Sequence, residues 1–136
     1  MIKEKLTYVD YNGTERTEEF YFNLSRTEIL DIESTLPNYS IEDWVSAVVA
    51  TREYDKLWKL FGDLIKRSYG IKSADGRRFM KSEEITKEFS ETEAYSALIE
   101  KFLTEPDYAS NFFNALVTRV DKKQVAPSFS LVENKQ

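Results

Sequence analysis

The sequence predicts a mainly helical α+β fold, in which an N-terminal β-hairpin packs on a bundle of about five to six short helices. Apolar and polar residues alternate in two short stretches, 2–8 and 19–24, as is typical of half-buried strands. Between residues 26 and 120, apolar residues recur instead every three or four positions, which is typical of amphipathic helices. Serines, threonines and prolines divide this region into separate helices.

The hairpin covers residues 2–24, and Asn12-Gly13 marks its turn. A two-residue loop at this point would place the apolar side chains of the two strands on opposite faces. A three-residue loop, with Gly13 left-handed in a G1 bulge, places them on one face. We therefore predict the bulged turn, with the apolar face packed on helices or on strands from a partner. The apolar side chains are Ile2, Leu6, Tyr8, Phe20, Phe22 and Leu24.

Several short motifs predict where helices begin. The segments Ser25–Glu28 and Ser90–Glu93 both have the capping-box pattern, in which a serine and a glutamate three residues later satisfy each other's backbone N–H groups. Ser40 and Ser82 precede acidic residues and predict two further helix starts. Pro106 suits the first residue of the last helix, near 107–120.

The strongest helical pattern runs from about Glu53 to Tyr69. Gly70 stands where a left-handed residue often ends a helix. The sequence leaves open whether residues 50–52 join this helix to the preceding one or separate the two. The predicted apolar stripe comprises Tyr54, Leu57, Trp58, Phe61, Leu64, Ile65 and Ser68.

The connector 71–81 carries the most distinctive local chemistry. Residues 73–76 predict a turn, so that a small hairpin or an anchored loop is expected. Two guanidinium groups, of Arg77 and Arg78, stand beside Phe79 and could hold a carboxylate or a phosphate. The local pattern alone favours another arrangement, in which Phe79 enters the core and the arginines pair with acidic residues such as Glu83 and Glu84.

Composition excludes several function classes. The 136 residues include no Cys and no His, which removes thiol and imidazole nucleophiles, Cys- or His-ligated zinc and haem ligation. The acidic residues at helix starts are explained by the helix dipole, and the four glycines form no phosphate-binding cluster. We therefore predict no catalytic residue, no metal site and no cofactor.

Charge and hydropathy limit the classes of partner that this chain is expected to bind. The net charge of −5 disfavours nucleic acid, which a basic surface would bind. No apolar run is long enough for a membrane span, and the first residues have no signal-peptide core, so we expect a protein used inside the cell. The length predicts one domain, 1–121, followed by a flexible tail, 122–136.

Three stretches taken together resemble a family of small proteins from tailed phages and prophages of Gram-positive bacteria, the phage tail assembly chaperones. The resemblance runs from the hairpin to Leu103 and is weaker after Asn111. It is carried by the order and spacing of Tyr21, Phe22, Asn23, Leu24 and Ser25, then Tyr69, Gly70, Ser73, Asp75, Gly76, Arg77, Arg78 and Phe79, then Thr92, Glu93, Ala94 and Tyr95.

The resemblance implies a role without catalysis. Such proteins bind the long, helical tape measure protein in the cytoplasm of the infected or lysogenic host, keep it soluble and promote assembly of the tail tube. They are absent from the finished virion. The tail tube protein and a second copy of the chain are further candidate partners. On this basis we expect Tyr69, Arg77, Arg78 and Phe79 to bind protein.

Two other functions remain open from the sequence. One is a structural tail or head–tail connector protein that stays in the virion. The other is a small phage protein that acts on a host protein, such as a component of a defence system.

Overall fold

The computed structural model describes residues 1–38 and 40–120 and, except at residues 54 and 118–120, their side chains. The tail predicted for 122–136 lies outside the described residues, and the single domain 1–121 stays a prediction. In the described part of the chain, four strands and six helices follow one another: β1 (Ile2–Val9), β2 (Glu15–Phe22), α1 (Arg26–Ser34), α2 (Ile41–Thr51), α3 (Tyr54–Ser68), β3 (Tyr69–Lys72), β4 (Phe79–Met80), α4 (Glu83–Ser90), α5 (Glu93–Thr104) and α6 (Pro106–Val120).

Strands β1 and β2 form the predicted antiparallel hairpin. Ile2 lies opposite Phe22, so the apolar side chains of both strands share one face. The Asp10 N–H donates to the Thr14 carbonyl at 2.9 Å and closes a short loop. Within it, Gly13 has a φ of 80°. The predicted left-handed glycine and the predicted register are both confirmed.

The connector after α3 forms a second hairpin, β3 and β4, which extends the first into an antiparallel sheet of order β1-β2-β3-β4. Tyr69 pairs with Phe22, and Gly70 pairs with Tyr21. The predicted helix agrees with α3 to within one residue at each end. The left-handed conformation predicted for Gly70 is wrong, because Gly70 belongs to β3 and its φ is not positive. The small hairpin itself is confirmed, whereas its pairing with β2 was not predicted.

Gly70 leaves room for the side chain of Phe79. Phe79 lies opposite Lys72, which places its ring on the same face of the sheet as Gly70. A Cβ atom at Gly70 would lie 2.5 Å from Phe79 Cε2 and 2.9 Å from the Met80 carbonyl oxygen. The phenylalanine ring therefore packs directly on the glycine of the neighbouring strand.

Three of the four helix starts predicted from a serine are confirmed. At α1, the Glu28 N–H donates to Ser25 Oγ at 3.2 Å and the Ser25 N–H donates to Glu28 Oε1 at 2.8 Å, which is the complete capping box. The hydroxyl oxygens of Ser40 and Ser82 accept backbone N–H groups at the starts of α2 and α4.

The capping box predicted at Ser90–Glu93 is wrong. The residue that caps α5 is Thr92, whose hydroxyl accepts the Tyr95 N–H. Ser90 is instead the last residue of α4 and donates its hydroxyl to the Lys87 carbonyl at 2.8 Å. Only two residues separate α4 from α5. Ser90, which has the spacing of a cap to Glu93, therefore belongs to the end of α4, and Thr92 caps the start of α5.

Helices α2 and α3 are separate, which answers the question that the sequence left open. Arg52 has a left-handed backbone, with a φ of 56°, and its N–H donates to the Val49 carbonyl at 3.2 Å. This conformation ends α2 and turns the chain into α3. The last helix begins at Pro106, as predicted.

The apolar stripe predicted for α3 is wrong at one position. The side chain of Trp58 is 51% exposed, whereas Leu60, which was left out of the stripe, is buried. Trp58 lies 100° around the helix from Leu57, at the edge of the buried face. Spacing alone therefore did not decide on which side of that edge it falls. The other predicted stripe residues with described burial are buried or half-buried: Leu57, Phe61, Leu64, Ile65 and Ser68.

One cluster of buried apolar side chains draws on the sheet and on all six described helices. Its residues come from the core-facing side of β1 and β2 and from the apolar stripe of each helix, so the predicted α+β fold is confirmed. No helix in the described part of the chain has the length and apolar character needed to cross a membrane. The largest fully buried side chains include Phe22, Phe102, Leu24, Ile29, Ile41, Leu64, Ile65 and Leu98.

The glycine under Phe79 gives a first testable prediction. We expect Gly70→Ala to lower the free energy of unfolding by about 1–3 kcal/mol, because the added methyl group forces the ring and a backbone carbonyl to move. Gly62→Ala in α3 is the matched control: its Cβ would lie 3.0 Å from the Tyr95 hydroxyl, the far end of a flexible side chain. Urea denaturation of both variants measures the difference. Equal stability of Gly70→Ala and the wild type would contradict the packing described.

Candidate protein-binding surface

The turn between β3 and β4 is fixed by its own hydrogen bonds. Ser73 Oγ donates to Asp75 Oδ1 at 2.7 Å and accepts the Arg78 N–H at 3.0 Å. Asp75 Oδ1 also accepts the Arg77 N–H at 3.0 Å, and Gly76 supplies a left-handed residue with a φ of 76°. Hydrogen bonds from the Arg77 backbone N–H and from the Ser73 hydroxyl lower the pKa of Asp75. The predicted turn is confirmed, and its hydrogen bonds fix the backbone of Arg77 and Arg78.

Both predicted arginines lie on the surface of this turn. The side chains of Arg77 and Arg78 are exposed, and Arg78 Nη2 lies 3.0 Å from Met80 Sδ. Among the described residues, no ion pair joins either arginine to Glu83 or Glu84. The arrangement that the local pattern favoured, with the arginines paired to these acids, is therefore wrong. The turn presents two guanidinium groups to solvent on a chain of net charge −5.

The two predicted aromatic residues lie on opposite faces of the sheet. Tyr69 shares the core-facing side with Phe22, and its ring stacks on Phe89 with centroids 4.1 Å apart. Phe79 shares the other side with Gly70, is half-buried there and does not enter the core. The structure brings Arg77, Arg78 and Phe79 together in one hairpin. Tyr69 lies on the core-facing side of that hairpin and packs it against Phe89.

Lys81 anchors the hairpin to the rest of the chain. Its ammonium group donates to the carbonyl oxygens of Asn23 and Arg67, both at 2.7 Å, and to the two carboxylate oxygens of Glu28 at 2.9 Å. These acceptors lie directly after β2, in the last turn of α3 and in the first turn of α1. The same ammonium lies 5.7 Å from the centroid of the Phe79 ring. One side chain therefore joins three parts of the chain that are distant in sequence: residues 23–28, Arg67 and Lys81 itself.

The described residues contain no group of acidic side chains arranged to hold a metal ion. What the hairpin offers chemically is recognition: guanidinium groups bind carboxylates in two-point contacts, and an aromatic ring adds apolar contact area.

Comparison with known families gives one match. The family model described as phage tail assembly chaperone matches residues 1–127. The chain belongs to the phage tail assembly chaperone family. Neither the curated proteins nor the solved structures include a match to this sequence.

In this member of the family, burial and pairing act in opposite directions on the Lys81–Glu28 pair. Burial raises the pKa of Glu28, but hydrogen bonds from Lys81 and from the Ser25 backbone outweigh it, so that the pKa is lowered. For Lys81, burial outweighs the attraction of Glu28 and lowers the pKa. The pair therefore favours an ionised carboxylate, while the ammonium bears a desolvation cost.

Sequence reasoning missed Lys81 and the role of Gly70. A single lysine carries no spacing signal, and its two carbonyl acceptors, on Asn23 and Arg67, are defined only once the fold is formed. The one local signal was the capping box that contains Glu28, which fixes where this carboxylate points. For Gly70, the sequence pattern predicts a helix end and not a close contact with an aromatic ring.

The Lys81 contacts predict a loss of stability on substitution. In this family member, Lys81→Met keeps an unbranched side chain but leaves Glu28 and two carbonyl groups without their donor. We expect the free energy of unfolding to fall by about 1–3 kcal/mol. Lys56→Met is the control, because it removes an exposed ion pair with Glu53 at 2.7 Å, worth about 0–1 kcal/mol. Chemical denaturation compares the two variants, and equal losses would contradict the anchoring role.

The lowered pKa of Glu28 predicts a pH dependence. Its carboxylate contributes stability above the unfolded pKa, near 4.5, and this contribution is lost as the pH falls through the lower folded value. We therefore expect the free energy of unfolding to decrease less between pH 7 and pH 3 in Glu28→Gln than in the wild type. The exposed Glu84→Gln is the control. If Glu28→Gln and the wild type show parallel pH profiles, the pairing does not contribute as described.

Proposed function

We propose that this chain binds the tape measure protein of its phage in the cytoplasm of the infected or lysogenic bacterium. It keeps that client soluble and promotes assembly of the tail tube around it, without catalysing a reaction and without remaining in the virion. The observation that carries the proposal is the family match over residues 1–127. Tape measure protein is the principal partner in this proposal, and the tail tube protein is a second one.

The hairpin supports a role in binding. Hydrogen bonds within its turn already hold the backbone in one arrangement, so we expect little conformational entropy to be lost when a partner is bound. Arg77, Arg78 and Phe79 combine two charges with an aromatic surface, which is the composition of many interface centres. We propose that these three residues contact the client and that Tyr69 contributes by holding the hairpin on Phe89.

The charge of the chain supports solubilisation. A net charge of −5 on a 136-residue protein favours the solubility of a complex that contains it. The positively charged turn is a local exception on this acidic chain, so a client segment with carboxylates is attracted there while other acidic proteins are repelled.

Co-expression tests the proposal. The protein is produced with the tape measure protein of the same phage, and the soluble fraction of the client and its co-purification are measured against the client alone. We expect the client to be soluble and bound. Mass spectrometry of purified virions is expected to lack this chain. An insoluble client together with the chain in virions would instead favour a structural tail or connector protein. An insoluble client and absence from virions would leave a host protein as the target.

The hairpin predicts which substitutions weaken client binding. We expect the double variant Arg77→Ala/Arg78→Ala to bind the tape measure protein about tenfold or more weakly, because two exposed guanidinium contacts are lost. Lys5→Ala/Lys59→Ala removes two other exposed positive charges and is the matched control, for which we expect little change. Biolayer interferometry at two salt concentrations measures both variants. Unchanged binding by a folded Arg77→Ala/Arg78→Ala variant would exclude the turn as the contact.

A further inference from the structure

The face of the sheet that points away from the helices is open to solvent. It carries the odd-numbered residues of β1 and β2 and, on the second hairpin, Gly70, Lys72 and Phe79. None of the described side chains on this face is buried, whereas the opposite face contributes Leu6 and Phe22 to the core. A partner outside the chain is therefore able to contact this face.

Two aromatic residues are neighbours on this face. Tyr21 lies directly opposite Gly70 on β3, and the ring of Phe79, on the next strand, packs over the same glycine. Since Gly70 has no side chain, no side chain of β3 separates the two aromatic residues at this point. Both are half-buried, so part of each ring remains accessible to a partner.

Lys72 brings a positive charge to the same place. Its ammonium group lies 5.6 Å from the centroid of the Tyr21 ring, and among the described residues no carboxylate forms an ion pair with it. The lysines of β1 on this face differ, because Glu19 forms an ion pair with Lys3 at 3.4 Å and lies opposite Lys5. The unpaired cation of this face therefore lies beside the aromatic residues.

The second hairpin adds two further cations. Phe79 is the cross-strand partner of Lys72, and the exposed Arg77 and Arg78 directly precede it. Three cations and two aromatic rings therefore lie close together on a chain of net charge −5. A surface of this charge attracts carboxylates and repels other cations, and accessible rings add apolar contact area.

We propose that Tyr21, Lys72 and Phe79 form a docking platform for an acidic segment of the client, continuous with Arg77 and Arg78. An aromatic or aliphatic side chain of that segment packs on the two rings, and carboxylates beside it pair with Lys72 and with the guanidinium groups. The identity of the client rests on the proposed function, whereas the chemistry of the segment follows from the charges and rings of the platform.

A single-stranded nucleic acid would use the same groups differently, through base stacking and phosphate contacts. Its backbone carries a negative charge at every nucleotide, so a strand longer than the platform meets the remainder of an acidic chain. A protein segment is able to limit its carboxylates to the platform. The charges of the chain therefore favour a protein segment.

Synthetic peptides test the platform without the client. The probe is a short peptide of leucine, alanine and glutamate with a central tryptophan, and the control peptide has lysine in place of every glutamate. In NMR spectra of the isotope-labelled full chain, we expect the glutamate peptide to shift the amide signals of Tyr21, Gly70, Lys72 and Phe79, and the lysine peptide to leave them unchanged. Equal shifts with both peptides, or no shift at these four residues, would overturn the proposal.

Substitutions test whether the client uses the platform. We expect Tyr21→Thr/Lys72→Gln to bind the tape measure protein about tenfold or more weakly, because one ring and one cation are lost. Tyr11→Thr/Lys5→Gln is the matched control, since it removes a tyrosine that is 76% exposed and an exposed lysine elsewhere on the first hairpin. Circular dichroism verifies the fold. If the double variant does not fold, Lys72→Gln alone replaces it, with an expected loss of about threefold.

The two experiments separate the platform from the proposed function. If the wild type and the folded Tyr21→Thr/Lys72→Gln variant bind the client equally well, the platform is overturned and the proposed function stands. If the wild type binds the glutamate peptide at the platform but does not bind the client, the platform stands and the proposed function is wrong. If a short oligothymidine shifts the same amide signals at lower concentration than the glutamate peptide does, the surface recognises nucleic acid and the proposal is overturned.

Discussion

The stacking of Tyr69 on Phe89, with ring centroids 4.1 Å apart and planes 12° from parallel, joins the sheet to the helices. Phe22 contacts both rings edge-on and also contacts Phe112. Strands β2 and β3 and helices α4 and α6 therefore meet at a single aromatic cluster. Because Tyr69 begins β3 directly after α3 ends, its ring also fixes the direction in which the chain enters the second hairpin. Core packing and the position of the candidate surface thus depend on the same contact.

Much of the fold could be predicted because its signals are local. The alternation in β1 and β2 and the glycine at position 13 specify the hairpin and its register, and serine caps specify three helix starts. The pairing of β3 with β2 could not be predicted, because Tyr69 and Phe22 are brought together only by the helices between them. The same limit explains the error at Gly70. A glycine after a helical pattern usually ends the helix, and only the position of Phe79 on the next strand shows why a side chain is excluded there.

The candidate surface could be predicted in part. The order of residues identifies Arg77, Arg78 and Phe79 as neighbours, because they are consecutive in the sequence. It did not separate Tyr69 from them, since the face on which a side chain lies depends on the strand register. Two of the four oxygens that accept from Lys81, which holds the hairpin in place, are main-chain oxygens, and any residue type can supply a main-chain oxygen. Such contacts are invisible before the backbone is known.

The late pairing of β3 has a consequence for synthesis. The first hairpin leaves the ribosome early, while β3, which pairs with Tyr21 and Phe22 at the end of β2, follows only after three helices have been made. Until then this end of β2 exposes unpaired backbone groups, which are able to pair with strands of other chains. Closing so long a loop is also entropically costly and slows folding. A protein that belongs to a chaperone family thus passes through a nascent state with an aggregation hazard of its own, which the arrival of Tyr69 and Gly70 reduces by pairing this end of the strand.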